Sequence, residues 1–106
     1  MNQLRLVAEI GERDILRYTP AGIPIVSAQL RHSSRQVEAG IERQIEFEIA
    51  AIAAGEISGR FSQAELGRNF EFAGFLARKN RNSRSLVFHI TDFAAHAGEN
   101  SLDTDS

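Results

Sequence analysis

The stretch from Ile41 to Ala53 has the most regular pattern of hydrophobic and polar residues in the chain. Ile45, Phe47 and Ile49 alternate there with polar or charged residues. Because successive side chains of a β-strand point to opposite faces, this period of two predicts a strand with one buried and one solvated face. Phe47 is accordingly predicted to lie in the core.

Four other segments show a similar alternation and predict four more strands. The polar segment from His32 to Gly40 predicts a loop between the second and third strands. After the third strand, residues 54–66 carry apolar side chains at nearly helical spacing, which predicts a short helix that Gly67 ends. The other strands are predicted near residues 4–10, 25–31, 70–76 and 86–91.

Five strands with one helix between the third and the fourth is the element order of the oligonucleotide/oligosaccharide-binding (OB) barrel. We therefore predict an all-β protein with one short helix, folded as a five-stranded OB-fold Greek-key barrel. Other five-stranded barrels are also compatible with the pattern. Gly11 is predicted to permit a bend, and Gly74 is predicted to mark the sharp coiling that closes the barrel.

Composition sets the limits of the domain and of its location. The chain has 106 residues and no cysteine, so it can bury one core but has no disulfide or thiolate ligand. We assign residues 1–96 to the OB domain. Residues 97–106 carry three acids and no basic residue, which predicts a disordered acidic tail, either simply solvated or in contact with a partner. No segment reads as a signal peptide or a membrane span, so we predict a cytoplasmic protein.

The sequence offers little support for catalysis. His32, His89 and His96 show no metal-ligand spacing, and there is no nucleophile elbow or phosphate-binding loop. We therefore predict that the protein is not an enzyme and that it has no catalytic residue, metal site or cofactor. His89 is interpreted as a packed or hydrogen-bonded strand residue.

Basic residues form two clusters. The second strand and the polar loop hold one, in which neighbouring glutamates dilute the charge, and it is equally compatible with an ordinary exposed loop. The other lies between the fourth and fifth strands, contains no acid, and suits the phosphates of a single strand. Among the aromatic residues, only Tyr18 and Phe75 are predicted to lie outside the core. The two clusters are Arg31, His32, Arg35 and Arg43, and Arg78, Lys79, Arg81 and Arg84.

Several segments resemble the primosomal replication protein N (PriB) family, from the amino terminus to about Phe93. The resemblance implies a homodimeric single-stranded DNA binding fold related to the bacterial SSB proteins, without catalysis. It also implies contact with the PriA helicase and other primosome proteins at stalled replication forks. The segments are Asn2-Gln3-Leu4, Thr19-Pro20-Ala21-Gly22-Ile23-Pro24, Arg31-His32-Ser33-Ser34, Glu38-Ala39-Gly40, Arg43-Gln44 and the strand around Gly74.

The same resemblance assigns roles to individual positions. Arg17 stands at a basic DNA-contacting position, and residues 78–84 stand at a lysine-rich DNA-binding loop. Ile41, Glu46 and Ser33 replace an aromatic residue, a stacking tryptophan and an arginine, so we predict weaker single-strand binding than in aromatic-bearing relatives. The predicted nucleic-acid-binding residues are Arg17, Tyr18, Arg31, His32, Arg35, Arg43, Arg78, Lys79, Arg81 and Arg84.

Two functions are compatible with these observations. The first is a single-stranded DNA binding accessory protein that holds DNA on its basic loops and helps the PriA helicase at stalled forks. The second is mainly a protein adaptor that binds and stimulates the helicase, with weak DNA binding. The glutamates of the third strand and the replaced aromatic residues favour giving weight to the second.

Overall fold

The structure, a computed structural model, describes residues 1–96, so the predicted tail at residues 97–106 lies outside the described residues. β2 has only two residues and pairs with the start of β3, which leaves five long strands, as predicted. The elements in chain order are β1 (Leu4–Arg13), β2 (Arg17–Tyr18), β3 (Pro24–Glu38), β4 (Ile41–Ala54), α1 (Ile57–Gln63), β5 (Asn69–Arg78) and β6 (Leu86–Ala95).

The five long strands close into a barrel in the order β1-β5-β6-β4-β3, because β1 pairs with both β5 and β3. The first half of β1 pairs with β5 and the second half with β3. The β4–β6 pairing is parallel, whereas the other barrel pairings are antiparallel. The predicted all-β OB-type barrel with one short helix is therefore confirmed.

The core is built from the inward rows of the strands and from one face of α1. Phe61, Phe70, Phe72 and Phe93 contact one another with ring centroids 5.4 to 6.2 Å apart. Aromatic rings in this range attract each other beyond the effect of burial alone. These four residues and Phe88 are buried, so their predicted core positions are confirmed.

Two glycines mark the irregular points of the barrel. In β5 and β6 the register passes from Ala73–Asp92 to Gly74–Ile90, so Thr91 is an extra residue in a bulge. A Cβ atom on Gly74 would lie 1.8 Å from the carbonyl oxygen of His89, which only glycine avoids. The predicted bend at Gly11 takes the form of a bulge, and β1 continues beyond it to Arg13.

The predicted loop from His32 to Gly40 is wrong, because β3 stays paired with β4 as far as Glu38 and Ile41. Ala39 and Gly40 form the two-residue connection, and both have positive φ, 53° and 76°. Two such residues are typical of a type I′ turn, whose twist suits a tight hairpin. We call residues 32–47 of this hairpin the arm.

The core position predicted for Phe47 is also wrong, since its side chain is 40% exposed. Phe47 pairs with His32 in the arm, and the two rings stack with centroids 4.8 Å apart. Of the predicted buried row, Ile49 packs against the core, and Ile45 is half-buried. Ile45, Phe47 and Ile49 do share one face of β4, but only the part of that face at Ile49 lies within the barrel and packs against its core.

The helix α1 is shorter than the predicted segment 54–66 and ends before the predicted stop at Gly67. Ala64 has extended backbone angles, and the guanidinium of Arg13 donates to the carbonyl oxygens of Phe61 and Ala64 at 3.1 and 2.6 Å. This side chain adds hydrogen bonds at the carboxyl end of the helix, where the last carbonyls lack the usual helical partners. No helix within residues 1–96 is long and apolar enough to cross a membrane.

Candidate nucleic-acid interface

A groove of about 760 Å³ crosses the outer surface of the barrel over β3, β4 and β6. Its floor includes Ser27, Gln29, Ala50 and Ile52, which alternate along their strands with the core residues. The floor is therefore made of short or uncharged side chains. A flat, extended chain can approach such a surface closely.

Two cations and two acids line the groove. Arg17 donates from Nη1 to the hydroxyl of Ser27 at 3.2 Å, and Lys79 lies where β5 leads into the loop before β6. Glu12 and Asp14 also line the groove, at the end of β1 and just after it. The lining by itself is therefore electrically balanced, and any excess positive charge must come from outside it.

That excess lies in the basic loop, which we define as residues 78–85. Lys79 N donates to the carbonyl of Ser85 at 2.9 Å and closes the loop. Asn80 caps the turn at its tip, since its side-chain oxygen accepts from Asn82 N at 2.9 Å, and Ser83 N donates to its carbonyl at 3.1 Å. These hydrogen bonds give the loop a defined shape that presents its basic side chains outward.

The four cations of the basic loop are exposed and form no ion pair within residues 1–96. Their charge is therefore available to an anionic partner rather than neutralised by the protein. The basic loop lies beside the groove, because its residues Lys79 and Ser85 are part of the groove lining. These four residues are Arg78, Lys79, Arg81 and Arg84.

The arginines of the other predicted cluster lie on or at the base of the arm and are paired with carboxylates. Arg31 contacts Glu9 at 3.0 Å, and Arg35 contacts Glu42 at 3.4 Å. Arg43 pairs with Glu38. We call Arg31, Arg35 and Arg43 the arm arginines; their field is largely cancelled by these partners.

His32 lies in the arm and not in the loop that was predicted to begin at this residue. Its Nδ1 lies 2.7 Å from the carbonyl oxygen of Val7, and its Nε2 lies 2.7 Å from the hydroxyl of Ser34. Both ring nitrogens therefore have partners within the protein, and one ring face covers Phe47. The residue fastens the base of the arm to β1.

The exposed positions predicted for Tyr18 and Phe75 are confirmed, with 68% and 38% of their surfaces exposed. Tyr18 lies on β2 and is absent from the groove lining. Phe75 lies opposite His89 on β6, and their rings stack with centroids 4.9 Å apart and planes 5° apart.

His89 itself lines the groove and packs against Phe75, in agreement with its interpretation as a packed strand residue, but its place in the groove was not predicted. The signal was present, because Phe88 and Ile90 point into the core and the residue between them must point outward. Within residues 1–96, no group of three or more histidine, cysteine, aspartate or glutamate side chains could hold a metal ion.

The closed five-stranded barrel, its helix after β4 and the groove over β3 and β4 define an OB-fold protein. The model of a family described as another single-strand binding protein family matches residues 2–92. Replication restart protein PriB of Nitrosomonas europaea is 45% identical over 91 residues, covering 86% of this chain and 84% of that protein. The Bordetella pertussis PriB is 36% identical over 98 residues, 92% of each chain.

Solved structures agree with these matches. PriB from Ralstonia solanacearum superposes with a TM-score of 0.83 at 43% identity, covering 91% of this chain and 98% of that one. The chain therefore belongs to the single-strand binding protein family and, within it, to the replication restart protein PriB family. The single-stranded DNA binding protein from Thermus aquaticus has the same fold, with a TM-score of 0.71 at 22% identity over 94% of this chain and 52% of that one.

Proposed function

We propose that this protein binds single-stranded DNA along the outer groove and the basic loop, as an accessory protein of replication restart in the cytoplasm. The observation that carries the proposal is the set of four exposed cations, unpaired within residues 1–96, beside an open groove on an OB barrel. Such cations release counterions from the phosphates that they contact, which drives binding at low salt.

The groove suggests how the strand is placed. Lys79 and Arg17 both line it, so a strand that runs from the basic loop towards β2 can place phosphates near both cations. Glu12 and Asp14 disfavour a phosphate at their own wall. The strand is therefore expected to lie closer to β6 and the basic loop than to β1.

Binding is expected to be moderate and sensitive to salt. Glu46 is exposed on the arm and Ile41 is 66% exposed, at positions where the family resemblance implies a stacking tryptophan and another aromatic residue. Each lost base stack forgoes about 1 to 3 kcal/mol. The remaining affinity must rest mainly on cations, whose contribution falls as salt rises.

Fluorescence anisotropy with oligothymidylates of several lengths, at low and moderate salt, tests the proposal. We expect clear binding at low salt that weakens steeply as salt is added. No binding at low salt would contradict the proposal, and tight binding that is nearly indifferent to salt would contradict its electrostatic basis. Duplex DNA of equal length serves as the reference for single-strand preference.

A homodimer is part of the proposal. The first half of β1 pairs with β5 on one side, and within residues 1–96 its other edge has no strand partner. An open strand edge can accept a strand from a second copy. Light scattering should give the mass of two chains, and a monomer mass at micromolar concentration would contradict this part.

The arm supports a second candidate function, contact with the PriA helicase as an adaptor. Its arginines are neutralised, and Glu46 and Glu48 are exposed on one face, which suits a protein partner better than DNA. Alanine at Arg78, Lys79, Arg81 and Arg84 separates the two functions. Loss of oligonucleotide binding with helicase binding retained supports the two-surface arrangement, whereas loss of both would show one shared surface.

A further inference from the structure

We propose that the stacked pair His89–Phe75 is the base-stacking platform of the groove, with His89 in contact with a base and Phe75 as its positioning residue. This inference rests on the proposed binding of single-stranded DNA. It assigns the aromatic contribution to β5 and β6, away from the arm. The observations are the ring geometry, the groove lining and the bulge at Gly74.

The proposed ligand contact is the face of the His89 ring that Phe75 does not cover. Phe75 covers the other face, with centroids 4.9 Å apart and planes only 5° apart. His89 lines the groove and Phe75 does not, so the side of His89 away from Phe75, next to Ile52 of β4, is the side nearer the groove. A flat ring held this way matches the sequence-tolerant stacking that single-strand binding needs.

The surroundings of His89 suit a base better than a phosphate. Its partner across the parallel pairing is Ile52 on β4, and Val87 lies on the same face of β6. Both are apolar and line the groove with it. Lys79 lies further along the same groove, so a base on His89 would leave its phosphates near the basic loop.

The bulge at Gly74 sets this arrangement. Because Thr91 is left out of the pairing, Phe75 lies directly opposite His89. Without the bulge, the register from Ala73–Asp92 would place Phe75 opposite Ile90, whose side chain is buried in the core. A one-residue slip exchanges the faces of a strand, so the pair exists only because of this irregularity.

Two fluorescein-labelled strands of the same length, about 20 nucleotides and so longer than the site of one OB fold, test the inference. One is oligothymidylate, and the other is an abasic strand with the same phosphates. For His89→Ala we expect affinity for oligothymidylate to fall about fivefold or more, with less than about twofold change for the abasic strand. Lys79→Ala is the contrasting variant and should weaken both strands alike.

Further variants separate stacking from folding. His89→Phe keeps a flat ring and should retain affinity for oligothymidylate. Phe75→Leu should lower affinity for oligothymidylate only, about threefold, and Phe75→Tyr should restore it. Thermal unfolding of every variant shows whether it is folded, and the ratio between the two strands is a readout that a purely structural role would not move.

The outcomes keep the two proposals apart. If the wild-type protein binds neither strand, the proposed function fails and this inference fails with it. If the wild-type protein binds and His89→Ala binds oligothymidylate equally well, only the platform is contradicted. An equal loss on both strands would show that His89 contacts phosphate, which also contradicts the platform.

Discussion

The four cations of the basic loop and the three arm arginines differ in what surrounds them. In the arm, strand pairing brings glutamates next to arginines on neighbouring strands, as in Arg35 with Glu42 and Arg43 with Glu38. Such cross-strand pairs are ordinary stabilising contacts of a hairpin. Within residues 1–96 no carboxylate pairs with a cation of the basic loop, so the charge of these cations is not cancelled. The fold therefore determines which of the two basic clusters keeps positive charge that no carboxylate cancels.

Glycine is needed for different reasons in β5 and at the tip of the arm. Gly74, below the groove, sits against the backbone of His89. Gly40, at the tip of the arm, has a φ of +76°, and a Cβ added there would meet nothing within 4 Å. The first glycine is required by close approach and the second by backbone conformation. Substitution with alanine should therefore have very different costs.

Gly74→Ala is expected to have the largest effect, about 3 kcal/mol or more of lost stability, because the Cβ would overlap a backbone carbonyl. Gly40→Ala is the matched variant and should cost about 1 kcal/mol. Urea unfolding followed by circular dichroism measures both. Equal costs would contradict the close approach at the bulge.

His32→Ala should cost about 1 to 2 kcal/mol, since it removes two hydrogen bonds and the stack on Phe47. Its oligonucleotide affinity should stay within about twofold of wild type, because both ring nitrogens are already bonded within the protein. Gln36→Ala, further along the arm, is the control for stability. A large loss of DNA binding without loss of stability would instead support a direct phosphate contact by His32.

Ala39→Asn should stabilise the protein by about 0.5 to 1 kcal/mol. Ala39 has a positive φ of 53°, which asparagine tolerates better than alanine, and Asn-Gly is the favoured pair for this turn. Thermal unfolding is the measurement, and Ala21→Asn, in the turn before β3, is the control. Lower stability of Ala39→Asn would argue against the type I′ turn.

The smallest effect is expected when the arm arginines are released from their partners. Glu38→Gln together with Glu42→Gln frees Arg43 and Arg35, and we expect oligonucleotide affinity to rise only about two- to threefold. Anisotropy at low salt measures this. If affinity rose by as much as the basic loop contributes, the two regions would differ in DNA binding because of their ion pairs and not because of their positions on the barrel.

The barrel was predictable because one face of each barrel strand is buried, so that hydrophobic residues recur at every second position of the strand. The arm was not, because its hairpin has no buried face over residues 33–38, and a solvated strand reads like a loop. Phe47 follows the same alternation as Ile49, so the pattern could not show where the barrel ends. The two strands continue as a paired hairpin beyond the barrel because the Ala39-Gly40 turn joins them at its far end.

The candidate site was only partly predictable for the same reason. The absence of acids from the basic loop is visible in the sequence, and so is its place between two strands. The ion pairs of the arm depend on the register between β3 and β4, which the predicted loop at His32–Gly40 excluded. The alternation of β6 shows that His89 points outward. The stacking of Phe75 on His89 could not be predicted, because it depends on the bulge at Gly74.

The most direct test compares two variants that each lose three positive charges. One has alanine at Arg78, Lys79 and Arg81 of the basic loop, and the other has alanine at the three arm arginines. The measurement is the slope of log affinity for oligothymidylate against log salt. We predict that the loop variant loses about 2 from this slope, at about 0.7 per phosphate contact, while the arm variant keeps the wild-type slope. Equal slopes for the two variants would contradict the account.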